Sequence, residues 1–348
     1  MKRLNNFSDL LEASEKRGRL PLVTIITPAY NRASFLKETI QSVLNQDYPK
    51  IEYIVLDDGS TDNTCEVLKK YSRKIFWESH SNMGETLTTN KGFGMAKGEI
   101  VCVVNSDDPL LPGAVHTAVE FLQSHADILV AYPDWIRIGP DSEVIEYVQV
   151  PEYDYLYMLR CHHCIVGPGA FIRCKSFDLA GMRDPDFKYV ADFEYWLRLG
   201  LYGPFARIPK TLATFREHPV SASVSHRGVV MADEHIRLIK KFYLRPGLPQ
   251  QIKKVRSEAF SSAHYVAAEM CGPEKKAACK HYVKSILYHP SSFFDKYKFK
   301  LTLSEVLPQP LFKTLHLVWR MIRPVLRFSR RVLRPVVVRG HRFFKLNL

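Results

Sequence analysis

Ile100-Val-Cys-Val-Val-Asn-Ser-Asp-Asp108 decides the fold of this chain. Five apolar residues, four of them β-branched, read as a strand buried on both faces. Four polar residues, the last two acidic, close it. The same grammar occurs twice upstream. Val23-Thr-Ile-Ile-Thr-Pro-Ala-Tyr-Asn-Arg32 runs from an apolar strand over 22–27 into Pro28, Tyr30 and Asn31. Tyr53-Ile-Val-Leu-Asp-Asp-Gly-Ser-Thr-Asp62 runs from a strand over 53–56 into Asp57 and Asp58. Helical spacing fills the intervals. Phe35, Leu36, Ile40, Val43 and Leu44 share one helix face, Ser60-Thr61-Asp62 suits a helix start, and further helices are expected over 85–96 and 113–122. Strands over 75–77 and 128–132 complete an α/β pattern: a mostly parallel sheet flanked by helices. Ligands of such sheets collect at the carboxyl ends of the strands, so three loops from three strands meet on one rim.

The later chain is mixed, then helical. Helices are expected over 153–159 and 192–201, strands over 170–172, 205–208 and 213–215, and two or three helices beyond 230. The 348 residues amount to about two domains. Expected boundaries are a lead-in over 1–20, a catalytic domain over 21–228 (nucleotide half 21–132, acceptor half 133–228), a helical extension over 229–290 and a tail over 291–348. Composition is that of a folded protein, 46% hydrophobic and 24% charged, which excludes disordered and collagen-like classes. Seven scattered cysteines predict reduced thiols in a cytosol. No leader pattern opens the chain and no apolar run approaches the roughly 18 residues that span a bilayer.

The net charge of +13 is unevenly placed. Residues 291–348 carry 13 Lys/Arg against Asp295 and Glu305, so the remaining 290 residues are only +2. From Leu311 the tail has ten Lys/Arg and no acid, interleaved with Leu317, Trp319, Ile322, Leu326 and Phe328. Arg320, Arg323, Arg327, Arg330, Arg331 and Arg334 recur at three- and four-residue steps. A basic amphipathic element of this kind suits an anionic membrane surface, and a polyanion-binding arm uses the same residues. Peripheral attachment to the cytoplasmic membrane face is expected, and no nucleic-acid partner.

Two adjacent carboxylates that close a buried strand repel each other and lose hydration. A divalent cation shared with a phosphorylated ligand relieves both costs, although Asp107-Asp108-Pro109 also makes an ordinary turn and helix cap. Asp57-Asp58 poses the same alternative on the neighbouring strand. There is no Gly-x-Gly-x-x-Gly after the first strand and no Gly-x-x-x-x-Gly-Lys-Ser/Thr anywhere, which disfavours a dinucleotide-binding dehydrogenase and a P-loop NTPase. Cys161-His162-His163-Cys164, with Cys174 beyond, supplies half of a zinc pattern but no second pair at finger spacing; it reads as a loop on the acceptor side. Trp135, Tyr153, Tyr155 and Tyr157 suit sugar stacking or plain packing.

The two strand-end motifs, Ser42-Val-Leu-Asn-Gln46, Asn82-Met-Gly84 with Asn90-Lys-Gly92, and Asn105-Ser-Asp-Asp108 follow one another in order. Asp192-Phe-Glu-Tyr-Trp-Leu-Arg-Leu199 and Arg216-Glu-His218 come after. Over residues 21–220 this set resembles a family 2 glycosyltransferase of the GT-A fold. The resemblance implies transfer of a sugar, with inversion, from a nucleotide-diphosphate sugar of UDP type to an acceptor hydroxyl on a glycan or lipid-linked saccharide. Pro28, Tyr30, Asn31, Asp57, Asp58, Gly84 and Asp107 would then bind the nucleotide-sugar. Asp107, Asp108 and His218 would hold Mg²⁺ or Mn²⁺, and Asp192 would be the general base. Three positions depart from the family pattern: Asn105 where Asp is frequent, Thr89 where Arg is frequent, and Ala191 where Glu is common. The alternative is a non-catalytic nucleotide-sugar-binding or scaffold protein on the membrane surface. A sugar nucleotidyltransferase is disfavoured, because its Gly-rich basic loop after the first strand is missing.

Overall fold

A computed structural model describes residues 19–219, 221, 228–271 and 274–290. Contacts divide the chain after His289, and every described helix and strand belongs to the first unit. Four parallel strands form its centre in the order β3-β2-β1-β4: β1 (Val23–Ala29), β2 (Ile51–Asp57), β3 (Phe76–Ser79) and β4 (Ile100–Val103). Their helices are α1 (Ala33–Leu44), α2 (Thr64–Lys69), α3 (Glu85–Met95) and α4 (Ala114–Ser124).

Period-two alternation along β1 shows how the two faces are covered. Val23 and Ile25 enter one core with Leu36, Ile40 and Val43 of α1 and Val115, Ala118 and Leu122 of α4. Ile26 enters the other with Val101 of β4 and Phe93 of α3. Gly92 lets α3 close on the sheet, since a Cβ there would stand 2.5 Å from Ile26. That leaves the carboxyl ends of β1, β2 and β4 as the uncovered rim.

The second half of the sheet departs from the sequence expectation. β5 (Val130–Ile138) runs six residues beyond Tyr132, and β6 (Val144–Val148) forms a hairpin with it that the alternation did not predict. β7 (Phe171–Arg173) lies antiparallel to both β4 and β5. β8 (Phe205–Arg216) is one strand where two short ones were expected, and it pairs parallel with β5 along its full length. Pro209 reads as a break because it has no N–H to donate. A register shift opposite Pro133 and Asp134 absorbs it, so the strand continues and delivers Arg216 and His218 to the rim.

α5 (Tyr155–Arg160), α6 (Lys175–Ala180) and α7 (Ala191–Leu199) surround this half, α6 being a further element the sequence reading lacked. α8 (Val229–Tyr243), α9 (Gln250–Lys254), α10 (Arg256–Met270) and α11 (Lys275–Tyr288) form the helical extension. Within it, Phe260 stacks on Tyr288 at 4.9 Å and His264 meets His281 at 3.0 Å. None of the described helices is long and apolar enough to cross a membrane. The basic tail lies outside the described residues.

Candidate active site

The β1 and β2 loops are stitched into one surface. Asn31 adopts φ 52°, and its Oδ1 accepts from the backbone N–H of Thr61 (2.8 Å) and Asp62 (3.3 Å), while its own N–H donates to Ser60 Oγ (2.8 Å). Tyr30 is thereby held outward, 46% exposed, whereas Pro28 is buried inside β1.

The four aspartates expected at the ends of β2 and β4 have different jobs. Asp57 is fully buried and faces inward: Ser79 Oγ donates to it at 2.6 Å, Cys65 Sγ at 3.3 Å and the Ser60 N–H at 3.3 Å. Asp58 is also buried; one oxygen accepts from Met83 N (2.7 Å) and the other from Gly84 N (2.9 Å). Asp58 therefore fixes the turn that starts α3. Gly84 sits there at φ 90° with open space where a Cβ would point, a backbone conformation that favours glycine.

Asp107 and Asp108 part company. Asp108 turns into the protein, with Arg216 N donating to Oδ1 (2.7 Å) and Asn105 Nδ2 to Oδ2 (2.9 Å). Burial, and then the charge of Asp107, push its carboxyl well above the ordinary range. Asp107 keeps an edge on the rim, its side chain 13% exposed, with Oδ2 2.9 Å from His218 Nε2 and 3.2 Å from Arg32 Nε. Burial works against its charge, yet the His218 hydrogen bond and the Arg32 guanidinium outweigh it and hold the carboxyl below the usual range. The adjacent pair thus favours one ionised, outward carboxylate over two. His218 is 4% exposed and packs on Phe35 at 4.6 Å; its Nδ1 has no hydrogen-bond partner among the described residues.

Asp192 is exposed in the first turn of α7, where one carboxylate oxygen accepts from Phe193 N (2.7 Å). The apolar face of that helix, including Phe193, Trp196 and Leu199, is buried. A buried ion pair on the same helix orders the preceding loop. Arg198 pairs with Glu194 at 2.7 and 2.9 Å and also donates to the carbonyls of Ala180 and Met182. From α8, Glu234 accepts from the N–H of Lys188 and Tyr189. Loop 181–190 is therefore clamped at both ends.

Two further residues work here, Arg216, which the sequence offered only as part of the Arg216-Glu-His218 motif, and Glu85, which carried no signal. Arg216, 1% exposed, donates to the carbonyls of Asp107, Gly139 and Pro140, to Ser142 Oγ, and to Glu38 (2.6 Å) on α1. It welds the acidic loop to the β5–β6 turn. Glu85, at the start of α3, is 54% exposed, yet desolvation is the first cause that pushes its carboxyl up. Asp192 and Asp107 push it further up, while Arg183 and Arg32 pull it down. Glu85 thus lies within electrostatic reach of both halves of the site.

The Cys/His segment serves packing. His162 is buried, meets His235 of α8 at 3.0 Å and Phe193 edge-on at 5.0 Å, and neither Cys161 nor Cys164 is in a disulfide. The aromatics behave likewise: Tyr155 donates to Leu197 O, Tyr153 stacks on Phe205, and Trp135 packs against Phe215.

Residues 24–178 match the model of glycosyl transferase family 2. They are a family 2 glycosyltransferase domain. An uncharacterized glycosyltransferase of Rickettsia typhi is 31% identical over 188 residues, 51% of this chain and 58% of that one. The hyaluronan synthase of Pasteurella multocida is 25% identical over 238 residues, 66% of this chain and 24% of the synthase. The matches thus span little more than half, and about a quarter, of those two relatives. Among solved structures, Staphylococcus aureus TarS 1–349 in complex with UDP-GlcNAc superposes with a TM-score of 0.60 at 18% identity, covering 89% of this chain and 87% of TarS. The mannosyltransferase of Pyrobaculum calidifontis in complex with GDP-Man and Mn²⁺ gives 0.53 at 17% identity, over 92% and 95%. These two likenesses establish the GT-A fold of the chain.

Proposed function

We propose that the transferase moves a sugar, with inversion, from a nucleotide-diphosphate sugar of UDP type to an acceptor hydroxyl in cell-surface polysaccharide synthesis. The outward Asp107 oxygen backed by His218 and Arg32 carries this reading, with Asp192 exposed at the start of α7 in support. The polysaccharide context draws on the likeness to hyaluronan synthase, and the nucleotide-sugar on the ligands of TarS and the mannosyltransferase. The outward aromatic of Tyr30 and the Asn31 turn would flank the base, with Gly84 opposite. Asp57 and Asp58 act one step back, by holding those loops.

Departure of the nucleotide diphosphate builds negative charge on its oxygens. Asp107 and His218 are the groups suited to hold a divalent cation there, as one carboxylate oxygen and one imidazole nitrogen. The described residues offer no cluster of three or more metal-binding side chains. Such a pair fits Mg²⁺ or Mn²⁺, which complete their shells with phosphate oxygens and water. Asp108, with both oxygens bonded internally, serves to aim Asp107. When bound, the cation would stabilise charge on the leaving diphosphate.

Asp192 would accept the proton of the attacking acceptor hydroxyl. Its carboxylate stands exposed in the first turn of α7. In-line attack assisted by one base inverts the anomeric centre. The basic tail would hold the enzyme at the anionic cytoplasmic face of the membrane, next to glycan or lipid-linked acceptors.

Calorimetric titration with UDP and GDP, with and without Mn²⁺, tests the donor and metal assignments together. The expected result is binding that strengthens with Mn²⁺ and loses that enhancement in D107N. Equal affinity after exhaustive chelation would overturn the metal assignment.

A further inference from the structure

Arg183 is held firmly by its backbone and hardly at all by its charge. Asn90 of α3 donates from Nδ2 to the Arg183 carbonyl (2.8 Å) and accepts the Arg183 N–H on Oδ1 (3.0 Å). The guanidinium lies 6.0 Å from the Phe93 ring centre, and the side chain is only 10% exposed. Among the described residues its one ion contact is Glu85, at 4.0 Å, and its buried Nε has no hydrogen-bond partner there. Arg198 makes the contrast, with its guanidinium fully engaged by Glu194 and two carbonyls. A guanidinium has five N–H donors in a fixed fork. Burying it underused is costly unless a ligand completes it.

Glu85 shows which way that capacity faces. It follows Gly84, whose N–H donates to Asp58 at the end of β2, and its side chain is 54% exposed, so the underused guanidinium meets an open carboxylate at the rim. It is not packed away behind α3. Nearby Thr89 has no charge to offer and is fully buried.

We propose that Arg183 and Glu85 form an exchangeable pair. Glu85 loosely neutralises the guanidinium in the free protein, and the diphosphate of a nucleotide donor takes it over on binding. This rests on the reading of the cleft as a nucleotide-diphosphate site. It assigns charge recognition to a residue on the 181–190 loop, which Arg198 and Glu234 clamp, and so links donor binding to the loop leading into Asp192.

The test is calorimetry of full-length protein with UDP and with uridine, Mn²⁺ held constant, on wild type, R183M and E85Q. Loss of a charge-assisted contact predicts about 10- to 100-fold weaker UDP binding in R183M, with uridine unchanged. E85Q is expected to shift UDP affinity the opposite way, tightening it, again without effect on uridine. UDP affinity unchanged in R183M, or uridine weakened equally, overturns the exchange. Should R183M not fold, E85Q decides: unchanged UDP affinity overturns the pair. Wild type that binds neither UDP nor GDP overturns the underlying donor reading, and the pair with it.

Discussion

Arg216→Met separates a structural hub from the half-exposed acid it touches. Arg216 is 1% exposed and donates to three carbonyls, those of Asp107, Gly139 and Pro140, to Ser142 Oγ, and to Glu38. Its guanidinium also lies 5.1 Å over the Phe35 ring. Methionine keeps much of the stem volume and removes every donor, so buried carbonyls lose their partners. Each stranded acceptor costs about 1–3 kcal/mol, and partial relaxation of the β5–β6 turn limits the sum. A total of about 3–5 kcal/mol is the size seen when buried charged networks are broken. For a body of this size that lowers Tm by about 6–15 °C. Glu38→Gln removes only the surface end of the network, because its side chain is 47% exposed; the expected loss there is below about 1 kcal/mol. Thermal unfolding of both variants beside wild type is the assay. R216M within about 1 kcal/mol of wild type, or equal losses in the two variants, would refute the hub.

Acid should destabilise the helical extension and its contact with α5. His235 and His264 are both pushed down to about 4, chiefly by desolvation. A depressed histidine leaves stability unaffected above its unfolded pKa of about 6.5. Below that the unfolded state binds the extra proton, so stability falls steadily down to about pH 4. At most about 3 kcal/mol is lost per histidine, and H264N should flatten part of the slope in urea unfolding across pH 4–7. Deletion of residues 311–348 should abolish co-sedimentation with anionic vesicles while preserving slow donor hydrolysis; unchanged sedimentation would contradict the role of the tail.

Much of the fold was legible because its central strands are unusually apolar. Strands 22–27, 53–56 and 100–104 and the helices between them follow from period and caps, and they put the rim where the acidic loops are. The β5–β6 hairpin was not legible. Val144, Ile145 and Tyr147 on β6 are exposed at a sheet edge, and an edge strand needs no buried face to announce it. At the site, residue type pointed to the right loops but not to the direction each side chain takes. Asp57, Asp58 and Asp108 spend their oxygens on backbone N–H and nearby side-chain groups, as the turn reading allowed, while Asp107 alone of the four keeps a rim edge beside His218. Arg183 escaped notice, and Arg216 entered only as part of a motif with no structural role, because their partners lie far away in sequence: Asn90 and Glu85 for the first, Gly139 and Glu38 for the second.

The central claim is that this cleft catalyses transfer with Asp192 as its base, and D192N tests it most directly. The substitution keeps size and helix position while removing the proton acceptor. Transfer from a radiolabelled nucleotide-sugar, followed together with UDP affinity, should fall by about 10²–10⁴-fold with nucleotide binding unchanged. Transfer at the wild-type rate by D192N would contradict the account.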